Sequence, residues 1–233
     1  MQMQVNWSAS RERVMKILRS VFNAVSDIEV IGQENIPASG GYVLATSHVS
    51  RLDTLFLMLS SSRKDIVGMV AREYRRAPFF GWFLEKLGVI WITREGYDFQ
   101  AFREASAFLK KGGIVGLAPE GSRSRDRQLM EGKHGTVLMA IKNKVQVIPA
   151  AVIGSADMMK RFLKLKKMQV KVIFGKPFDL PQPEEGQSEK NVLDLATTEV
   201  MCRIAMLLPE DRRGFYRNHP RLQVLLAEQQ SLL

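Results

Sequence analysis

Tyr42-Val43-Leu44-Ala45-Thr46-Ser47-His48-Val49-Ser50-Arg51-Leu52-Asp53 is the stretch on which the reading of this chain turns. Its first four residues are an apolar run of the kind that makes a buried strand, and a polar turn with a histidine and an aspartate follows at once. Further along, Ile114-Val115-Gly116-Leu117 is a second short run of the same kind. It ends in Pro119-Glu120-Gly121-Ser122-Arg123-Ser124. Two buried strands that end in polar clusters bring those clusters to one edge of a sheet, where α/β proteins keep their sites.

Outward from these two runs, strand-like and helix-like segments alternate. Short, apolar, β-branched stretches predict strands at 42–47, 66–71, 88–92, 113–118, 145–153 and 170–174. Helices are expected at 53–61, 79–87, 97–111, 134–143 and 191–208. In the third of these, Phe99, Phe102, Ala105, Ser106 and Leu109 make an inner face, and Lys110-Lys111-Gly112-Gly113 stops the helix. Such alternation predicts an α/β fold: a layered, mostly parallel or mixed sheet flanked by helices. Pro149 interrupts the apolar run Val147–Ile153, which points to an edge strand or a bulge. Residues 180–190 read as a polar, proline-rich loop into a closing helix.

The clearest single helix is 11–25. Val14, Ile17, Leu18, Val21, Phe22 and Val25 form one apolar stripe, with Arg11, Arg13, Lys16 and Arg19 mostly off it. A basic amphipathic helix can lie in a membrane interface, and its stripe can equally pack on the protein's own core. Residues 1–30 are therefore set apart as an N-terminal amphipathic segment, and 31–233 as one domain.

The 233 residues carry 34 Lys+Arg against 24 Asp+Glu, a net charge of +10. A chain so basic is drawn to polyanions: nucleic acid, an anionic membrane surface or phosphorylated substrates. The single cysteine, Cys202, excludes an internal disulfide and a cysteine metal cage. The three histidines are scattered, so no metal site is expected. The first residues show no apolar core of a signal peptide, and no stretch has the eighteen or more apolar residues that span a bilayer.

A hydroxyl becomes a competent nucleophile when a base takes its proton as the new bond forms. Histidine suits that task near neutrality, and a carboxylate on its other ring nitrogen fixes the tautomer. The spacing of His48 and Asp53 allows such a pair if His48 ends the strand and Asp53 opens the next helix. A loop histidine and a plain helix cap would leave the same trace. Gly121 lets amides approach a ligand, and Arg123 and Arg125 can fork onto phosphate oxygens. Val89-Ile90-Trp91-Ile92-Thr93 is a strand that delivers Arg94 at its carboxyl end.

The blocks His48-x4-Asp53, Ile92-Thr93-Arg94, Pro119-Glu120-Gly121-Ser122-Arg123 and Val147-Ile148-Pro149, in this order, resemble those of the glycerolipid acyltransferases. Within that family the chain is most similar to the bacterial 1-acyl-sn-glycerol-3-phosphate (lysophosphatidic acid) acyltransferases. The resemblance covers about residues 40–155. It implies a glycerol-3-phosphate acyltransferase-like fold, His48 as general base, Asp53 as its partner, and Arg94 on the acceptor's phosphate. It also implies that Glu120, Gly121, Ser122 and Arg123 hold the acceptor head group, while Pro149 shapes the acyl-donor side. Lys133, in Glu131-Gly132-Lys133-His134, adds a phosphate contact or is simply solvated; His134 and His219 are read as structural. The family's second block usually has an acidic residue where this chain has Thr93, and its third usually reads Phe-Pro-Glu-Gly-Thr where this chain has Ala118 and Ser122. Serine keeps the hydroxyl; Thr93 bears on the acceptor's identity.

The implied reaction is transfer of a fatty acyl group from acyl-coenzyme A or acyl carrier protein to the free hydroxyl of lysophosphatidic acid. It needs no bound cofactor. Another lysophospholipid or a glycolipid is the alternative acceptor. Lys160-Arg161-Phe162-Leu163-Lys164-Leu165-Lys166-Lys167 is a basic run suited to an anionic leaflet or to the phosphates of the donor. Aromatic residues are 8% of the chain and only Phe162 interrupts that run, so nucleic acid is not an expected partner. The expected location is the cytoplasmic face of a membrane, held peripherally.

Overall fold

The computed structural model describes residues 9–93, 96, 98–157, 166–181 and 187–231. Among these, seven strands are β1 (Ser26–Ile31), β2 (Tyr42–Thr46), β3 (Ile66–Ala71), β4 (Ile90–Ile92), β5 (Ile114–Leu117), β6 (Val147–Ile153) and β7 (Met168–Phe174). They form one sheet in the order β1-β7-β6-β2-β5-β3-β4. The five strands from β6 to β4 are mutually parallel; β7 is antiparallel to β6, and β1 runs parallel to β7. The sheet is thus mixed, with a parallel centre.

Among the described residues seven helices, α1 (Ala9–Val25), α2 (Asp53–Ser60), α3 (Pro78–Leu87), α4 (Phe99–Lys110), α5 (Gly135–Asn143), α6 (Glu189–Met206) and α7 (Pro220–Gln230), cover both faces. Strand residues alternate between the two sides. Val43, Ala45, Val67, Val115, Val147 and Ala151 pack with α4, α5, α6 and α7. Leu44, Ile66, Ile114, Ile148, Ala150 and Val152 pack with Phe22 of α1 and with α2 and α3. A sheet buried on both faces explains why these strands read as continuous apolar runs.

The expected strands and helices all form, with ends moved by a few residues. β1 and α7 lie where no element was expected. β1 is an edge strand with most side chains exposed, so its sequence carries little apolar signal, and its pairing with β7 holds it. Of the two readings of Pro149, the edge strand is excluded, because β6 lies inside the sheet between β2 and β7, and the bulge is what forms. Its carbonyl accepts from the Gly175 amide at 2.8 Å, so its nitrogen points the same way, just past the last β6–β7 ladder pair, Ala150–Phe174. Pairing resumes at Val147–Phe178. The opposing chain therefore holds one extra residue there, and the missing proline N–H breaks no ladder bond.

The α1 stripe divides. Phe22 is buried, and Val14 and Leu18 pack with it on the core, whereas Ile17, Val21 and Val25 remain 63%, 49% and 40% exposed. Arg11 is buried and pins the helix: Nε donates to the Leu87 carbonyl at 2.8 Å, and Nη1 and Nη2 to those of Lys64 and Ile66 at 2.9 and 2.7 Å. Burial lowers this guanidinium to a pKa of about 10, still charged at neutral pH.

Candidate active site

β2, β5 and β6 all deliver their carboxyl ends to one edge of the sheet. β2 leads into the loop that carries His48, and α2 then begins with Asp53 in its first turn, where a carboxylate suits the helix dipole. Asp53 is fully buried. Its Oδ2 accepts from the amides of Val49 at 2.9 Å and Ser50 at 2.7 Å and lies 3.4 Å from His48 Nδ1. That last distance is long for a hydrogen bond. His48 keeps 25% of its side chain exposed, so solvent or a substrate reaches the ring.

Glu120, after β5, departs from the expectation of a head-group contact. It is 2% exposed, and both its oxygens are taken by backbone amides: Oε1 by His48 at 2.8 Å, Oε2 by Met130 at 2.9 Å. Burial pushes its carboxyl above the ordinary range, while the two amides pull it back. The carboxylate acts as a clasp that joins the histidine loop to the segment after β5. Two backbone bonds tighten the same junction: the Ser124 amide donates to the His48 carbonyl at 2.9 Å, and the Lys133 amide to that of Pro119 at 2.8 Å.

The exposed residues of this segment are the cations and the small polar groups. Gly121 has φ +70°, and a Cβ there would meet Lys133 Cδ at 3.2 Å and Nζ at 3.3 Å, so the glycine lets the lysine chain lie against the turn. Ser122, Arg123 and Lys133 are exposed. Neither Arg123 nor Lys133 has an ion-pair partner among the described residues, which leaves two cations beside His48's loop for an anion. Arg94 lies outside the described residues, as does most of the basic run from Lys160. Thr93, its neighbour, donates from both N and Oγ1 to Asp98 Oδ2 at 2.9 Å. Asp98 caps α4 through the Ala101 amide, and these amide bonds lower its carboxyl to about 2. Thr93 thus serves the start of α4. Pro149 is buried within β6, next to Ala45 in register and upstream of the strand's carboxyl end. His134 pairs with Asp194 at 2.7 Å and His219 caps α7.

Sequence reasoning missed Ser155. It lies two residues past the end of β6, is 1% exposed, and donates from Oγ to Asp53 Oδ1 at 2.5 Å across 102 residues of chain. The rule that nominated His48 and Glu120, a polar residue just past a buried strand, would have found it.

A buried carboxylate behind an accessible histidine, with two exposed cations beside them at a parallel sheet edge, has the chemistry of a group-transfer site. The acyltransferase family model matches residues 27–153, more than half of the chain, and the chain belongs to that family. A 1-acyl-sn-glycerol-3-phosphate acyltransferase of Bacillus subtilis is 29% identical over 69% of this chain and 78% of its own length. One from Borreliella burgdorferi is 27% identical over 56% of this chain and 52% of its own. The crystal structure of the 1-acyl-sn-glycerophosphate acyltransferase PlsC from Thermotoga maritima superposes with a TM-score of 0.59, at 25% identity, covering 82% of this chain and 78% of that one.

Proposed function

We propose that this protein transfers a fatty acyl group from a thioester, on coenzyme A or acyl carrier protein, to the free hydroxyl of lysophosphatidic acid, giving phosphatidic acid. The observation that carries the reading is the pairing of partly exposed His48 with buried Asp53, clasped by Glu120 to a segment bearing unpaired Arg123 and Lys133. Similarity to relatives named for this acceptor supports the substrate.

In this mechanism Asp53 holds the proton of His48 on Nδ1, which leaves the Nε2 lone pair for the acceptor. Nε2 takes the hydroxyl proton as the oxygen attacks the thioester carbonyl. A tetrahedral oxyanion forms, the carbon–sulfur bond breaks, and the departing thiolate receives the proton from His48. The products are the new oxygen ester and a free thiol. No covalent enzyme intermediate and no bound cofactor enter. Arg123 and Lys133, with Arg94, bind the acceptor's phosphate as paired charges, and Gly121 and Ser122 shape the turn that presents them. Pro149 stiffens the β6 side toward the donor.

The acceptor is a membrane lipid, and the enzyme meets it peripherally on an anionic, cytoplasmic leaflet. No helix among the described residues is long and apolar enough to cross a membrane. Phe79 and Trp82 of α3 are 90% and 57% exposed, and Ile17 and Val21 of the adjacent α1 also face outward. Arg13, Lys16 and Lys86 lie on the same two helices and Arg76 in the turn just before α3, a composition suited to the interface of an anionic bilayer.

Thiol release from acyl-coenzyme A and acyl carrier protein donors, with lysophosphatidic acid as acceptor, tests the reading. His48→Ala should lower the acceptor-dependent rate by about 10²–10⁴. Release that persists in the variant would remove His48 as the base. Release that follows another lysophospholipid in preference would reassign the acceptor.

A further inference from the structure

We propose that Ser155 is a positioning residue for acyl transfer: it fixes the plane of the Asp53 carboxylate and through it the orientation of His48. The inference rests on the reading of His48 and Asp53 as the base and its partner.

The argument begins with the two oxygens of Asp53. Oδ2 is crowded, taking the Val49 and Ser50 amides and facing His48 Nδ1 at 3.4 Å. Oδ1 takes only the Ser155 hydroxyl, at 2.5 Å, among the described residues. A fully buried carboxylate oxygen requires a donor, and the Ser155 hydroxyl is the one that reaches it. The last torsion of an aspartate is broad and two-fold. Donors on Oδ2 alone leave the plane free to turn about it. A donor on Oδ1 from the opposite side stops that rotation with Oδ2 facing the ring.

Ser155 is in turn held by the fold. β6 ends at Ile153, and Gly154 then turns with φ +91°, where a Cβ would lie 2.0 Å from the Gln169 carbonyl of β7. This close passage, open only to glycine, brings the short turn Ser155–Asp157 against the start of α2 and the histidine loop. The Ser155 carbonyl also receives a long contact, 3.5 Å, from Ser50 Oγ in the histidine loop. A neighbouring parallel strand therefore sets the geometry of the base pair, from outside the segment that contains it.

The test compares Ser155→Ala, Ser155→Cys and wild type by steady-state thiol release with acyl-coenzyme A and lysophosphatidic acid, each also in an Asp53→Asn background. Ser155→Ala should lower kcat by about tenfold or more, as loss of an orienting outer partner does in metal sites, with KM for both substrates within about twofold. Ser155→Cys keeps the volume with a weaker donor and should fall between. In the Asp53→Asn background the Ser155→Ala change should cost less than about twofold, because residues that act through one another are not additive. A merely structural serine predicts equal effects in both backgrounds. Full additivity, or an unchanged kcat in Ser155→Ala while His48→Ala abolishes turnover, would overturn the role of Ser155 alone. Absence of acyl transfer by the wild-type enzyme would overturn the reading of the site together with it.

Discussion

Replacing Phe79 and Trp82 together by alanine tests how the enzyme reaches its lipid. Phe79 is 90% exposed and Trp82 57% exposed, so each offers on the order of 150 Å² of aromatic surface to a partner. At about 25 cal/mol per Å², full burial of each is worth roughly 3–4 kcal/mol. Insertion to half that depth leaves about 2 kcal/mol per ring, of which the alanines retain a small part. The pair should therefore contribute about 3 kcal/mol to partitioning, a factor of roughly 10². Sedimentation with vesicles containing anionic phospholipid measures this directly. The variant should bind about a hundredfold more weakly while its melting temperature stays within about 2 °C, since side chains this exposed stabilise the fold little. A loss of binding under about threefold would refute the reasoning. It would assign membrane attraction to the basic residues instead, and added salt would then abolish binding.

Three further results are expected. Glu120→Ala orphans the His48 and Met130 amides, each bonded to a charged acceptor, and should lower unfolding stability by about 2–4 kcal/mol in urea titration; a change under about 0.5 kcal/mol would dismiss the clasp. Arg11→Met removes three charge-assisted bonds and relieves the burial of the guanidinium, so a net loss of about 2 kcal/mol is expected. Faster amide exchange confined to α1 should accompany it, and exchange that rises uniformly would contradict the anchoring role. Cys202 is buried, and burial pushes its thiol up to about 11; it should stay unmodified by an aromatic disulfide reagent in the native protein at pH 8. Because its folded value lies above the unfolded one, the stability it contributes is full below about pH 9 and is lost as pH rises toward 11. Rapid labelling at pH 8 would show an exposed thiol.

Much of this protein is legible along the chain because its signals are local. The runs at Tyr42–Thr46 and Ile114–Leu117 announce buried parallel strands, since a strand covered on both faces has no polar alternation to blur it. His48, Asp53 and the Glu120 segment stand out for the same reason: polar residues just past such strands have an α/β sheet edge to occupy. The resemblance to acyltransferases was carried by those blocks, and the family match to residues 27–153 bears it out. The edge strand β1 escaped because its partner is distant in sequence. β1 exposes most of its side chains and owes its conformation to pairing with β7.

Only the tertiary structure decided what each polar residue touches. No spacing rule says that Glu120 turns inward to two amides, for a carboxylate beside a glycine turn suits a ligand equally well. Nor does one say that the α1 stripe splits between core and solvent; that follows from Arg11 setting the helix against β3 and α3. Ser155 reaches Asp53 because β6 and β2 are neighbours in the sheet, and the pairing of parallel strands is a long-range choice made by the packing of the whole core. Residue types and their local order determined the chemistry available to this chain; the sheet order determined which groups meet, because hydrogen-bond geometry depends on distances in space that sequence separation does not encode.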